Sequence, residues 1–91
     1  MCVLSLLSRN DYHGYKLAKE IRSYFPEVNE STIYGILRRL HEEHSVDIFR
    51  ETDPKTPVRK YYKINYQGRD RLSSALAIWL HVAKAVEDIC F

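Results

Sequence analysis

Ninety-one residues, 45% hydrophobic and 29% charged, hold enough apolar material for one globular unit and exclude an intrinsically disordered chain. At this length folding hides only about two-thirds of the extended chain's surface, so an isolated subunit is marginal and a dimer is favoured. A formal charge of +2 is too small to argue for nucleic acid by itself, which makes the placement of charge the useful signal.

The apolar opening, Met1 to Leu7, begins without a cap and predicts a helix buried on several sides. It has no basic leader and soon gives way to polar residues, so it reads as neither a signal peptide nor a membrane span, and the expected location is cytoplasmic. Asn10 and Asp11 are suited to cap a second helix from about Tyr12 to Tyr24, with Leu17, Ala18 and Ile21 inward, ended by Pro26. Asn29 caps a third helix to about His44, whose buried stripe is Ile33, Ile36, Leu37 and Leu40. Its other face collects Ser31, Gly35 and Arg38, flanked by Thr32, Tyr34 and Arg39.

Val46 to Thr52 and Arg59 to Ile64 read as two strands around Asp53-Pro54-Lys55-Thr56-Pro57, a hairpin with Tyr62 and Ile64 in the core. Lys55 and Thr56 stand at its tip and Arg59, Lys60 and Lys63 on its return strand, a basic wing. Asn65 caps a last helix reaching Phe91, along which Leu72, Ala75, Leu76, Trp79, Val82, Ala83, Val86, Ile89 and Cys90 recur every three or four residues. Such a helix is about 39 Å long and overhangs a body of this size, so its apolar seam needs another surface to cover it, and a second copy of the chain is the simplest supplier.

Three helices followed by a basic hairpin give the fold class: mainly α with a small β-hairpin, a winged helix-turn-helix with a long C-terminal dimerisation helix. Residues 1–64 form the DNA-binding unit and 65–91 the dimerisation helix. In such a fold the third helix enters the major groove and the hairpin reaches the backbone or the adjacent minor groove. Arg38, Arg39, Arg50, Lys55, Arg59, Lys60, Lys63, Arg69 and Arg71 crowd the middle of the chain, which predicts one positive face for a polyanion. Ser31, Thr32, Tyr34, Arg38 and Arg39 are the candidate contacts on the helix, and Lys55, Thr56, Arg59 and Lys60 those on the wing.

Other chemistry has little support. No glycine loop for phosphates, nucleophile-base pair or paired carboxylate stands at a useful spacing, so no enzyme and no cofactor is expected. His41 and His44 flank Glu42 and Glu43, yet a zinc site needs third and fourth ligands that the sequence does not supply. Cys2 and Cys90 lack metal or redox spacing and are expected as reduced, semi-buried thiols, with a bridge between them the lesser alternative.

The segments His13-Gly14-Tyr15-Lys16-Leu17, Ser31 through Leu40, Arg59-Lys60-Tyr61-Tyr62-Lys63-Ile64 and a helix start containing Gly68 together resemble the PadR family of transcriptional regulators. The resemblance covers nearly the whole chain. It implies a homodimer, usually a repressor, joined through the first and last helices, which adds Leu4 to Leu72, Leu76, Trp79, Val82, Ala83, Val86 and Ile89 at the dimer contact. By position it assigns Ser31, Thr32, Tyr34 and Arg38 to the recognition helix, Tyr15 and Lys16 to its supporting helix and Lys55 to Lys60 to the wing. Some members of the family release DNA when a small aromatic or drug-like effector binds.

Trp79 resembles the tryptophan that some members stack against planar compounds, whereas its size and spacing alone point to dimer packing. Two departures from the family pattern stand out. His44-Ser45 replaces the usual glycine, predicting a helix exit that differs or lacks a left-handed cap, and Gly35 replaces proline or alanine. The competing function class is a winged-helix module that binds a protein rather than DNA. Salt separates the two, because DNA affinity falls steeply with ionic strength.

Overall fold

The computed structural model describes the whole chain apart from the side chains of Asp53 and Thr56. Its elements run α1 (Cys2–Arg9), β1 (Tyr12–His13), α2 (Gly14–Tyr24), α3 (Glu30–Glu42), β2 (Val46–Asp53), β3 (Thr56–Ile64) and α4 (Tyr66–Cys90). The strands form one antiparallel sheet in the order β1-β3-β2. No helix among the described residues is long and apolar enough to cross a membrane.

One core joins these elements. Val3, Leu4 and Leu7 supply a single stripe from α1, so this helix is buried on one face and not on several. They meet Leu17, Ala18 and Ile21 of α2, Ile33 and Leu37 of α3, Val46, Tyr62 and Ile64 of the sheet, and Leu72 near the start of α4. Each fully buried leucine or isoleucine here contributes about 1.5–3 kcal/mol of transfer free energy. Ile36 and Leu40, expected in the α3 stripe, are only half-buried at its margin.

The second helix starts later than its sequence suggests. Tyr12 and His13 are drawn into the sheet, pairing antiparallel with Tyr62 and Tyr61. This buries Tyr12, which an exposed first helical turn would not do. The cap is therefore neither Asn10 nor Asp11 but His13, whose ring Nδ1 accepts a hydrogen bond from the Lys16 backbone N–H at 3.2 Å. At α3 the expected Asn29 cap is present, accepting from the Thr32 N–H at 3.0 Å.

The exit of α3 corrects another expectation, because a left-handed cap forms without glycine. His44 has φ 60°, its N–H donates to the His41 carbonyl at 3.0 Å, and the Ser45 N–H donates to the Leu40 carbonyl at 2.9 Å. That pair of bonds defines a Schellman motif with histidine in the position glycine normally takes. Left-handed backbone costs a residue with a β-carbon about 1–2 kcal/mol, and His44 is exposed. Replacing His44 with glycine is expected to stabilise the fold by about 1 kcal/mol, raising the thermal midpoint by roughly 4–8 °C. Calorimetry of the His44→Gly variant reads this, and an unchanged or lower midpoint contradicts it.

The start of α4 is locked to that exit. Asn65 accepts from the Gly68 N–H at 2.9 Å and donates its side-chain amide to the His44 carbonyl at 2.8 Å and to Asp47 at 3.2 Å. Its backbone N–H reaches the Ser45 carbonyl at 3.2 Å. One residue thus caps α4 while tying it to α3 and β2.

Beyond Leu72 the helix leaves the body. The molecule measures 56 × 29 × 20 Å with a radius of gyration of 15.3 Å, against about 12 Å for a compact chain of this length. Leu76, Ile78, Trp79, Leu80, Val82, Val86 and Ile89 are exposed on it. Cys2 and Cys90 are free and exposed, not semi-buried as expected.

Candidate nucleic-acid interface

The recognition-helix position and the wing meet at one cleft. His13, Gly14 and Tyr15 from the start of α2, Tyr34 from α3, and Arg59, Lys60 and Tyr62 from β3 line an open depression of about 370 Å³. Gly14 permits the approach: a β-carbon there would collide with the Tyr34 ring, whose Cδ1 would lie 3.3 Å away. Burial first, then the Glu30 charge, holds the Tyr34 phenol above its ordinary value. The Tyr34 hydroxyl therefore stays protonated and able to donate at neutral pH.

An aromatic ladder braces the wing against this helix pair. Phe49 of β2 stacks on Tyr61 of β3 at 5.4 Å, Tyr61 meets the His13 ring edge-on at 5.6 Å, and His13 lies parallel to Tyr15 at 6.5 Å. Such pairs contribute about 0.5–1.5 kcal/mol each beyond burial. Lys60 lies over Tyr62 at 5.6 Å and Lys16 over Tyr12 at 5.8 Å. Both ammonium heads thus lie over aromatic faces, within cation–π reach.

The two arginines of α3 differ in their surroundings. Arg39 pairs with Glu43 at 3.7 Å, and the same carboxylate is bonded by Arg71 of α4. Its charge is thus partly offset within the subunit, by a carboxylate that it shares with Arg71. Arg38 is exposed and has no hydrogen bond or ion pair among the described residues. It stands one turn beyond Tyr34, on the side that also carries Ser31.

Ser31 and Thr32 are committed to the helix cap. Both hydroxyls donate to Asn29 Oδ1, at 2.7 and 2.9 Å, beside the Thr32 N–H. What they offer a duplex is lone pairs, suited to the amino groups of bases and not to phosphate oxygens. Lys55 is exposed at the hairpin tip, while the side chain of Thr56, expected to join it, lies outside the described residues.

The sequence reading missed His13, which sits at the centre of this arrangement. Its place three residues before Lys16 is the N-cap spacing, but histidine is a rarer cap than the neighbouring Asn10 and Asp11. Burial first, then the nearby Arg59 and Lys16 charges, lower its pKa from the ordinary histidine value, so it is neutral at physiological pH.

Of the residues assigned to a dimer contact, Leu4 and Leu72 are 5% and 8% exposed and belong to their own subunit's core. In the lone subunit they have little surface left for a partner. Leu76, Trp79, Val82, Val86 and Ile89 are exposed, with Ala83 half-buried. Trp79 and Leu76 also border an apolar groove of about 410 Å³ between α4 and α1, floored by Leu6, Ile21 and Phe25.

A helix pair joined by a short turn, a basic hairpin beside it and a protruding terminal helix define a winged helix-turn-helix of the DNA-binding regulator class. The sequence profile of the Transcriptional regulator PadR-like family matches residues 3–74, and the chain belongs to that family. A PadR-like transcriptional regulator of Bacillus cereus is 28% identical and superposes with a TM-score of 0.88 over 97% of this chain and 86% of its own. A Streptococcus transcriptional regulator is 27% identical, with a TM-score of 0.90 over 99% and 89% of the two chains. An uncharacterized protein of Lysinibacillus sphaericus is 25% identical over 88 residues, 93% of this chain and 81% of its own.

Proposed function

We propose that this chain acts as a homodimeric repressor, occluding promoters by seating two copies of α3 in the major groove of operator DNA. The observation that carries the reading is the shared cleft, where Tyr15, Tyr34, Arg59 and Lys60 from three elements converge, on the side of the chain that also carries Arg38, exposed and without a partner among the described residues. Wing and α2 cations fix the register on phosphates, while Arg38, Ser31 and Thr32 address base edges. The PadR-like regulator of Bacillus cereus, similar over nearly its whole length, supports the same reading, and a DNA-bound role places the protein in the cytoplasm.

Labour divides at Asn65. Residues 1–64 hold the DNA, and the helix from 65 to 91 pairs subunits through Leu76, Trp79, Val82, Ala83, Val86 and Ile89, which sets the spacing of the half-sites. A glutamate in place of Val82, which is 44% exposed in the lone subunit, becomes a buried unpaired charge in that pairing. Val82→Glu is expected to weaken dimerisation by about 100-fold or more and to lower operator affinity with it. Sedimentation velocity reads the first effect; a variant as dimeric as the parent contradicts the seam.

The groove beside Trp79 is the place for a small aromatic or hydrophobic effector. Trp79 is 53% exposed and stands at the joint between body and α4, where an inserted planar molecule would alter the separation of the recognition helices. Loss of Trp79 fluorescence on effector binding, coupled to release of DNA, tests this. If complexes of the dimer with a partner prove indifferent to salt, the protein-binding alternative takes precedence over DNA.

A further inference from the structure

His13 presents a hydrogen-bonding conflict that a phosphate resolves. Its Nδ1 accepts from the Lys16 backbone N–H at 3.2 Å while its Nε2 faces Arg59 Nη1 at 3.1 Å. A guanidinium only donates, and a neutral imidazole has one acceptor nitrogen. Both contacts therefore cannot be hydrogen bonds at once. With the cap kept, Nε2 carries the proton, and two N–H groups from different elements point at one another with no acceptor between them. The free protein must give up either the α2 cap or the Arg59 bond.

Resting on the DNA-binding reading above, we infer that His13 and Arg59 form a clamp for one backbone phosphate of the duplex, with Nε2–H and the guanidinium donating to it together. A phosphate oxygen satisfies both donors while Nδ1 keeps its cap. The groups facing His13 are Lys16 on α2 and Arg59 and Tyr61 on β3, with Tyr15 stacked alongside. Lys60 and the Tyr34 hydroxyl border the same cleft. The charges named here are all positive, an arrangement unfavourable to a protonated histidine in the free protein. An arriving phosphate reverses that field, so DNA binding draws His13 upward in pKa.

His13→Asn is the informative variant, because asparagine caps a helix as well as or better than histidine but is too short to replace the Nε2–H donor. Titration of a short random-sequence duplex at low salt, followed by fluorescence anisotropy, suffices because a phosphate contact acts on all sequences alike. The His13→Asn variant is expected to bind about tenfold more weakly than the parent while staying folded at the titration temperature, its thermal midpoint lowered by several degrees because the ring contacts to Tyr15 and Tyr61 are lost. In nitrogen-15 spectra of the parent, duplex should raise the His13 titration midpoint by about 0.5 pH unit or more and leave Nε2 as the protonated nitrogen.

Duplex binding by the parent with no loss in His13→Asn overturns the clamp and leaves the DNA reading intact. Failure of the parent to bind any duplex overturns the DNA reading, and the clamp with it. A His13 response to inorganic phosphate with none to duplex assigns the site to a free anion and overturns it as a DNA contact.

Discussion

Charge reversal at Arg38 is expected to lower operator affinity by about 100-fold or more, while a random duplex loses far less. An arginine that reads a base edge supplies about 1–3 kcal/mol of discrimination, and glutamate adds repulsion from nearby phosphates. The expectation depends on Arg38 being exposed and having no partner among the described residues, so its charge is spent on nothing within the subunit. Arg39→Glu is the matched control. That residue already pairs with Glu43, so its reversal chiefly breaks an exposed ion pair of little worth and costs about two- to threefold from the change in net field. Competition binding against both duplexes separates the two variants. Equal losses at Arg38 and Arg39, or a loss at Arg38 that is the same for every sequence, contradict a base-reading role.

The second large effect is on folding. A β-carbon on Gly68 would overlap the Ser45 carbonyl oxygen and lie 2.8 Å from Ile64 Cγ1. Neither neighbour gives way easily, since that carbonyl also receives the Asn65 N–H and Ile64 is 3% exposed in the core. Gly68→Ala is thus expected to cost about 3 kcal/mol or more, at the upper end for overpacking. Against the 5–15 kcal/mol that holds a small domain folded, this lowers the thermal midpoint by about 15 °C. Gly35→Ala provides the contrast: its β-carbon would meet nothing nearer than Arg38 Nη2 at 4.0 Å, so alanine should stabilise α3 by about 0.5–1 kcal/mol. Thermal unfolding of the pair checks both signs, and a tolerated Gly68→Ala would show that the α4 junction is looser than described.

Sequence periodicity made much of this legible because it records local requirements. Asn29 and Asn65 stand before helices as their caps, and both do cap them. The alternation around Tyr62 and Ile64 places these side chains in the core. What escaped detection was long-range. Tyr12 and His13 pair with Tyr62 and Tyr61, nearly fifty residues away, and no local pattern announces that a helix-like start will be taken by a sheet.

The left-handed turn at His44 was hidden for a related reason. A glycine would have advertised it, whereas histidine tolerates the conformation only because Ser45 and Asn65 secure the junction around it. Spacing puts Leu72 on the seam of the last helix and the family resemblance adds Leu4, but spacing identifies an apolar face without saying what covers it. The functional surface was read more fully as a set of charges than as a set of bonds. Arg38 and Arg39 are adjacent and chemically identical; helical phase sets Arg38 nearer the outward face, but that Arg39 shares Glu43 with Arg71 is visible only in the folded chain.

Selection of bound duplexes from a random pool tests the central claim most directly. The account predicts enrichment of an inverted repeat whose half-site centres lie one helical turn, about 34–36 Å, or a whole multiple of it apart. It also predicts that binding to the selected site falls steeply as salt is raised. Recovery of no common sequence, or of an asymmetric site held by a single subunit, would contradict it.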